Sequence, residues 1–400
     1  MQGSENVRGI EGSATLAIAA LCRQLRAEGR EVIDLGVGEP DFRTPDFISA
    51  AGIASIEQGF TQYTPVPGIP ALRSAIAERI KNDNQHPASA EGVVVSCGAK
   101  QSLFNACFLL FGPGDRVLLP VPYWTSYPAL IKLARAETVL VPTLAERQFK
   151  VSVDDLQKRF DPAVKGLIIN SPSNPAGTVY SRQELEAIAR WARDKNVWVI
   201  SDEIYGRICF SDERAASFLD LDDALLDRVI VVDGASKAFA MTGWRLGYSY
   251  SRPDVAREIA SLQSQITSNA AAASQYAALA GYKDVGRAKG SIKAMVTVFQ
   301  QRRDKVLAQF ASDLPKAIPA RPDGAFYIFV RVDAYYDEQL KDSAAFCSWV
   351  LDQTGVALVP GSAFGDDRYV RLSLAAPNAA LAEAVKRMGE ALTNRVPVNA

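Results

Sequence analysis

Short apolar runs alternate with amphipathic stretches through the middle of this 400-residue chain. The runs VVVS (93–96), RVLLP (116–120), GLIIN (166–170), VWVISD (197–202) and VIVVDG (229–234) are rich in β-branched residues and bounded by turn formers, the pattern of buried strands. Between them lie GAKQSLFNACFLLF, PYWTSYPALIKLA and SRQELEAIARWARDK, whose apolar positions recur at helical spacing. Ser181 with Glu184 three residues on forms a capping box that opens a helix running through Lys195. From Val93 to about Arg287 this βαβ rhythm predicts a mostly parallel sheet flanked by helices. Ahead of it, Thr15 to Gly29 predicts a helix, Glu31 to Leu35 a short strand, and Pro45 to Gln58 a second helix, with Tyr63 in the loop that follows. The final third changes character. A long helix from about Lys293 to Phe310, a strand after Gly324, a helix near Ser343 to Thr354, the segment YVRLSLA and a closing helix predict a smaller α+β domain.

Length alone favours more than one domain, since single cores seldom serve more than about 200 residues. Composition is that of an ordinary soluble protein, 48% hydrophobic and 22% charged. With 44 basic and 45 acidic residues the net charge is −1, so no nucleic acid and no membrane surface is expected as a partner. No apolar run approaches the roughly 20 residues of a membrane span. The short apolar run near the N-terminus lacks the basic flank of a secretory leader, so none is expected. Cys22, Cys97, Cys107, Cys209 and Cys347 are scattered with no C-x-x-C spacing, which reads as reduced thiols in a cytoplasmic protein. One exclusion is sharp. His86, in a polar, helix-ending context, is the single histidine, so serine–histidine triads, cysteine–histidine dyads and multi-histidine metal sites have little to work with, and no metal is expected. The chemistry must run on lysine, carboxylate, tyrosine or a borrowed cofactor.

Candidate groups collect at the C-terminal ends of the expected strands, the edge where open α/β sheets bind ligands. Lys237 follows VIVVDG in small-residue and aromatic surroundings, and Arg245 follows it after Gly243. Gly98, Ala99 and Lys100 open a helix where backbone N–H groups can face an anion, although a glycine after a strand is often only a turn. Tyr123 and Trp124 offer an aromatic face for a flat ring, or simply packing. Asn174 lies in a loop after LIIN, and Asp202 ends VWVIS with Glu203, Ile204 and Tyr205 following. A sheltered carboxylate there can pair with a cation, or cap a helix. Gly36 and Gly38 do not make a dinucleotide motif, because the third glycine is missing and Pro40 blocks the helix. An anion cradle, a stacking aromatic, an acid for a ring nitrogen, an amide and phenol for an oxygen, and an amine for an aldehyde together describe a site for pyridoxal 5′-phosphate.

The ordered set GEPDF, Y-T-P-x-x-G, GAKQ-x-L-F-N, P-Y-W-x-S-Y-P, N-S-P-x-N-P-x-G, S-D-E-I-Y, S-K-A-F-A-M-T-G-W-R-x-G-Y, P-x-G-A-F-Y and V-R-L-S resembles the class I, fold type I pyridoxal-phosphate-dependent aminotransferases, especially the bacterial-type aspartate aminotransferases. The resemblance spans nearly the whole chain. It implies an α/β fold with a large cofactor-binding domain over 45–290 and a small domain from 1–44 and 291–400. By matching position it implies that Lys237 is the covalent anchor and proton carrier, and that Asp202 pairs with the ring nitrogen. Tyr205 and Asn174 would bond the ring oxygen, and Trp124 would stack on the ring. Arg245, Ser236 and the backbone at Gly98, Ala99 and Lys100 would hold the phosphate, with Tyr63 reaching it from the other subunit of a homodimer. Arg371 would clamp the substrate α-carboxylate, with Gly38, Trp124 and Asn174 nearby. Lys100 and Thr15 would read a distal carboxylate, which favours L-aspartate with 2-oxoglutarate as acceptor in a ping-pong transamination. Glu11 departs from the basic or amide residue found in relatives that also take prephenate. A transaminase for aromatic or neutral amino acids or prephenate, or a C–S lyase of the same fold, is the alternative, and a non-catalytic regulator would need a DNA-binding region that this chain lacks.

Overall fold

The computed structural model describes residues 3–395 apart from 5 and 11, so Glu11 lies outside the described residues. In chain order the strands are β1 (Ile33–Asp34), β2 (Val93–Ser96), β3 (Arg116–Val121), β4 (Glu137–Pro142), β5 (Val164–Asn170), β6 (Trp198–Asp202), β7 (Val229–Gly234) and β8 (Gly247–Tyr250). They continue with β9 (Ile318–Ala320), β10 (Tyr327–Arg331), β11 (Val356–Ala357), β12 (Val359–Pro360) and β13 (Tyr369–Ser373). A seven-stranded sheet runs in the order β2-β8-β7-β6-β5-β3-β4, with only β8 antiparallel to its neighbours. A four-stranded antiparallel sheet runs β12-β13-β10-β9.

Alternate residues of the large sheet feed two cores. Val94, Ile168, Ile200, Ile230 and Val232 face one. Their neighbours Val93, Val95, Leu167, Ile169, Val199, Val229 and Val231 face the other. A strand covered on both faces has no solvent side to mark with polar residues, which is why these segments are apolar throughout. The first of these cores also takes in Ile328, Val330, Val370 and Leu372 from the small sheet, so packing is continuous from one sheet to the other.

Helix ends follow local chemistry. Ser181 Oγ accepts from the Glu184 amide at 3.3 Å while the Glu184 carboxylate accepts from the Ser181 amide at 2.7 Å, opening the helix Arg182–Lys195 as expected. Other boundaries differ from the sequence pattern. The expected strand from Glu31 to Leu35 shrinks to β1, which pairs in parallel with β11 rather than joining a large sheet. The long helix of the final third spans Val285–Asp313, starting well before Lys293. Two strands escape the apolar pattern altogether. In β4 burial alternates, and β8 reads only GYSY, opening on a glycine. Gly247 is required there, since a Cβ would lie 2.2 Å from the Ala99 nitrogen.

The segment between β1 and the helix Asp46–Glu57 is tied down from several directions. The Ser373 amide donates to the Leu35 carbonyl at 2.8 Å. Arg302, on the long helix, forks onto Asp41 at 2.7 and 2.8 Å and also donates to the Leu374 carbonyl at 3.1 Å. Its side chain is only 8% exposed. Removing the carboxylate leaves a guanidinium stranded in the interior, so Asp41→Ala should cost about 3 kcal/mol of unfolding free energy. Urea unfolding checks this, and a loss below about 1 kcal/mol would mean water screens the pair as at a surface.

Candidate active site

Strands that run the same way end on the same edge, and the sequence-predicted groups follow from that. Trp124 comes just after β3, Asn174 after β5, Asp202 closes β6, and Lys237 sits in the short helix Ala235–Ala238 after β7. β2 runs in register against β8, so Gly98 and the helix Ala99–Leu110 emerge at this edge too. They border a cleft of about 530 Å³, lined also by Thr15, Gly38, Ala99, Lys100, Tyr205, Ser236, Arg245 and Arg371. Gly98 lies against its wall, where a Cβ would come 2.5 Å from the Arg245 guanidinium. Tyr63 is the exception. It stands in the loop before the helix Pro70–Asn84, 92% exposed and outside this cleft. His86 is also remote, held between Asp223 at 2.8 Å and the Tyr250 hydroxyl at 3.1 Å.

Lys237 is half-buried, its Nζ donating to the Gly38 carbonyl. Burial pushes its pKa down to about 8, with Arg371 and Arg245 adding to the fall and Glu39 opposing it. Asp202 is 3% exposed; its carboxylate accepts from the Tyr127 hydroxyl at 2.7 Å and the Ile204 amide at 3.2 Å. Burial raises its pKa to about 6 despite these donors. A buried carboxylate of this kind gains most from a cation brought against it. Burial and the neighbouring Arg245 lower the pKa of Lys100, whose Nζ lies 4.9 Å from the centre of the Trp124 ring.

Arg371, on β13, is 1% exposed and donates to the Asn174 side chain at 3.1 Å and the Gly36 carbonyl at 2.6 Å. Its Nε has no partner. A buried donor left open beside a cleft suits an incoming carboxylate. Arg245 donates to the Thr242 carbonyl at 3.0 Å and lies 3.5 Å from that of Cys97. Its guanidinium and the first amides of the helix Ala99–Leu110 converge because Gly98, with φ +88°, and Gly247 carry no side chains.

The residues present therefore fit pyridoxal phosphate. They provide an anion cradle that a Cβ would fill, a buried acid without a cationic partner bonded to it, an amine of lowered pKa and an aromatic wall. Among the described residues no cluster of three or more histidine, cysteine, aspartate or glutamate side chains could hold a metal ion. Sequence reasoning missed Tyr127, which meets Trp124 edge-on at 5.3 Å, although the three-residue spacing at a helix start was a usable signal. It also missed Glu39, which accepts from the Thr242 hydroxyl at 2.6 Å, and Tyr327, whose hydroxyl is 2.9 Å from that of Tyr205. Both lie in segments quoted above, Glu39 in GEPDF and Tyr327 in P-x-G-A-F-Y, but nothing local says which partner either one meets.

A family model described as aminotransferase class I and II matches residues 30–388. Among curated relatives, the aspartate aminotransferase of Bacillus sp. (strain YM-2) is 37% identical over 96% of this chain and 97% of its own. The aspartate/prephenate aminotransferase of Nitrosomonas europaea is 38% identical over 98% of this chain and 100% of its own. Among solved structures, the aspartate aminotransferase of Thermus thermophilus with maleate superposes with a TM-score of 0.92 at 34% identity, covering 98% of this chain and 100% of that one.

An amine whose pKa lies near 8 is protonated and unreactive below that pH and nucleophilic above it. Competitive acetylation of the chain across pH, read by peptide mass spectrometry, should titrate Lys237 with a midpoint near 8, against 10.5 for an ordinary lysine. Glu39→Gln removes the charge that favours the ammonium and should move the midpoint lower still. A midpoint at the ordinary value would mean that water reaches Nζ freely.

Proposed function

The chain belongs to the class I and II aminotransferase family and is an aminotransferase, and on that footing we propose that it binds pyridoxal phosphate and moves the amino group of L-aspartate to 2-oxoglutarate by a ping-pong mechanism. The observation that carries the reading is the convergence on one cleft of Asp202 from the end of β6, Lys237 from just after β7 and Arg371 from within β13. When bound, the coenzyme supplies an aldehyde that condenses with amines and a protonated ring that draws electrons from the bond being broken.

The chain's own groups do the rest. Arg245, Ser236 and the backbone at Gly98, Ala99 and Lys100 would hold the phosphate, and Trp124 would supply the aromatic face for the ring. Asp202 keeps the proton on the ring nitrogen, a charge–charge contact that also relieves the cost of its own burial. Tyr205 and Asn174 bond the ring oxygen. Lys237 would be the anchor, and its Nζ, neutral above about pH 8, would carry the proton from the amino acid's Cα to the carbon that was the coenzyme's aldehyde, the transfer that turns amino acid into oxoacid. Arg371 fixes the α-carboxylate through its fork. Gly38 lends backbone near that α-carboxylate, and Lys100 and Thr15, which line the same cleft, meet the distal carboxylate.

We assign residues 45–290 to a large domain and 1–44 with 291–400 to a small one, a division supported by the separation of the seven- and four-stranded sheets along the chain. A second copy is part of the reading. Tyr63 would reach the phosphate of the other subunit, supported by its full exposure and by the exposed apolar Ile53, Ile56 and Phe60 close to it in sequence. We place the enzyme in the cytoplasm, in keeping with five free cysteines. No helix among the described residues is long and apolar enough to cross a membrane.

A half-reaction screen, following conversion of the coenzyme spectrum with single amino acids, tests substrate choice. Aspartate and glutamate should convert fastest. Faster conversion by phenylalanine, alanine or the arogenate expected from prephenate would replace the dicarboxylate assignment, and release of a thiol from cystathionine would point to a lyase. Lys237→Ala should leave no borohydride-reducible adduct. Arg371→Leu should raise KM and lower kcat for every amino acid alike, with kcat/KM down about a hundredfold or more, the worth of a buried charge-assisted fork. A variant losing activity with aspartate alone would mean that Arg371 reads the distal group.

A further inference from the structure

Two phenols meet at the bottom of the cleft. Tyr327, on β10, is fully buried and Tyr205 is 4% exposed, with their hydroxyl oxygens 2.9 Å apart and their rings nearly perpendicular at 81°. Arg371 lies over the Tyr327 ring, its guanidinium carbon 4.4 Å from the centroid. The charged groups facing the pair are Arg371 from β13, Glu39 from the segment after β1, Asp202 from β6, and Lys237, whose Nζ is 5.8 Å from the Tyr205 ring centre.

A phenol has one hydrogen to give, so in such a pair only one member donates to the other. The more acidic phenol is the better donor. Burial raises both pKa values, and the Arg371 guanidinium, held 4.4 Å from the centre of the Tyr327 ring, opposes the rise at that phenol. The charge over its ring makes Tyr327 the better donor, so of the two directions open to this bond the one from Tyr327 to Tyr205 is favoured. Tyr205 then has its own hydrogen free to give to an acceptor in the cleft, and accepting a bond makes it a stronger donor.

We infer that Tyr327 is a positioning residue: it orients the Tyr205 hydroxyl toward the cleft and passes to it the state of charge at Arg371. This rests on the function proposed above, in which the acceptor facing Tyr205 is the ring oxygen of the coenzyme. A carboxylate seated on Arg371 offsets the guanidinium charge and weakens the Tyr327 donation. Tyr205 then gives less support to negative charge on its acceptor, and the proton affinity there rises. Substrate occupancy at one end of the cleft thus sets protonation at the other through a pair of hydroxyls.

The test is a spectrophotometric titration of the holoenzyme, with and without succinate as an unreactive dicarboxylate. Tyr327→Phe keeps the ring over which Arg371 lies and removes only the hydroxyl. It should raise the pKa of the visible band by about half a unit to one unit, the equivalent of one hydrogen bond, and shrink the further rise that succinate causes. The double variant with Tyr205→Phe should titrate like Tyr205→Phe alone, because the two hydroxyls act in series. A Tyr327→Phe band that titrates like the wild type, or effects that add in the double variant, would overturn the inference. Site-specific 3,5-difluorotyrosine at position 327, nearly unchanged in size but a stronger donor, should move the band the opposite way. It carries the test if the phenylalanine variant does not fold. Failure of the wild type to take up coenzyme would instead remove the functional reading and the inference with it.

Discussion

Charge held out of water is the constraint from which the chemistry of this cleft follows. Six basic side chains, Arg23, Arg26, Lys100, Lys237, Arg245 and Arg371, face three acidic ones, Asp34, Glu39 and Asp202, so the cleft attracts anions and resists further positive charge. Lys237 answers by giving up its proton more readily, Asp202 by holding one more tightly. Both shifts have burial as their largest cause, so they come from the walls of the cleft rather than from any one neighbour. A base that sheds its proton near pH 8 and an acid in want of a cation stand in one pocket, the pairing that acid–base chemistry at carbon needs.

Holding charges there demands a rigid frame. Arg371 is fixed by the Gly36 carbonyl and the Asn174 side chain, which come from parts of the chain far apart in sequence, and by the Tyr327 ring beneath it. Asn174 is positioned in turn, its amide bonded to Asn170 at 2.8 Å while the Asn170 side chain donates to the Asp202 carbonyl at 2.9 Å. The segment after β1 forms the opposite wall, and Arg302 and Ser373 bind it to the long helix and to β13. Arg371 thus joins the small sheet, on which it stands, to the loop after β5 of the large one and to the segment after β1.

The same stitching explains what the chain leaves unsaid when read in one dimension. The capping box at Ser181 and the strands ending at Asn170, Asp202 and Gly234 depend on residues close in sequence, and each stands where its pattern placed it. Lys237, Asp202 and Trp124 could be picked out because a functional side chain at a strand end breaks an otherwise apolar run. β8 carried no such mark, since its four residues form a strand only because β2 and β7 flank it on either side.

By itself the sequence determined the strand rhythm, the edge at which chemistry collects, and the exclusion of histidine-based catalysis, because each rests on local periodicity or on the presence of a residue type. Only the tertiary structure decided that Tyr127 bonds Asp202, that Glu39 lies near Lys237, and that Tyr327 meets both Tyr205 and Arg371. A tyrosine within a buried strand and a glutamate in a loop look the same in sequence whether they pack, cap or serve a site. Their roles come from partners up to about two hundred residues away in the chain, and from the loss of water that those partners jointly impose.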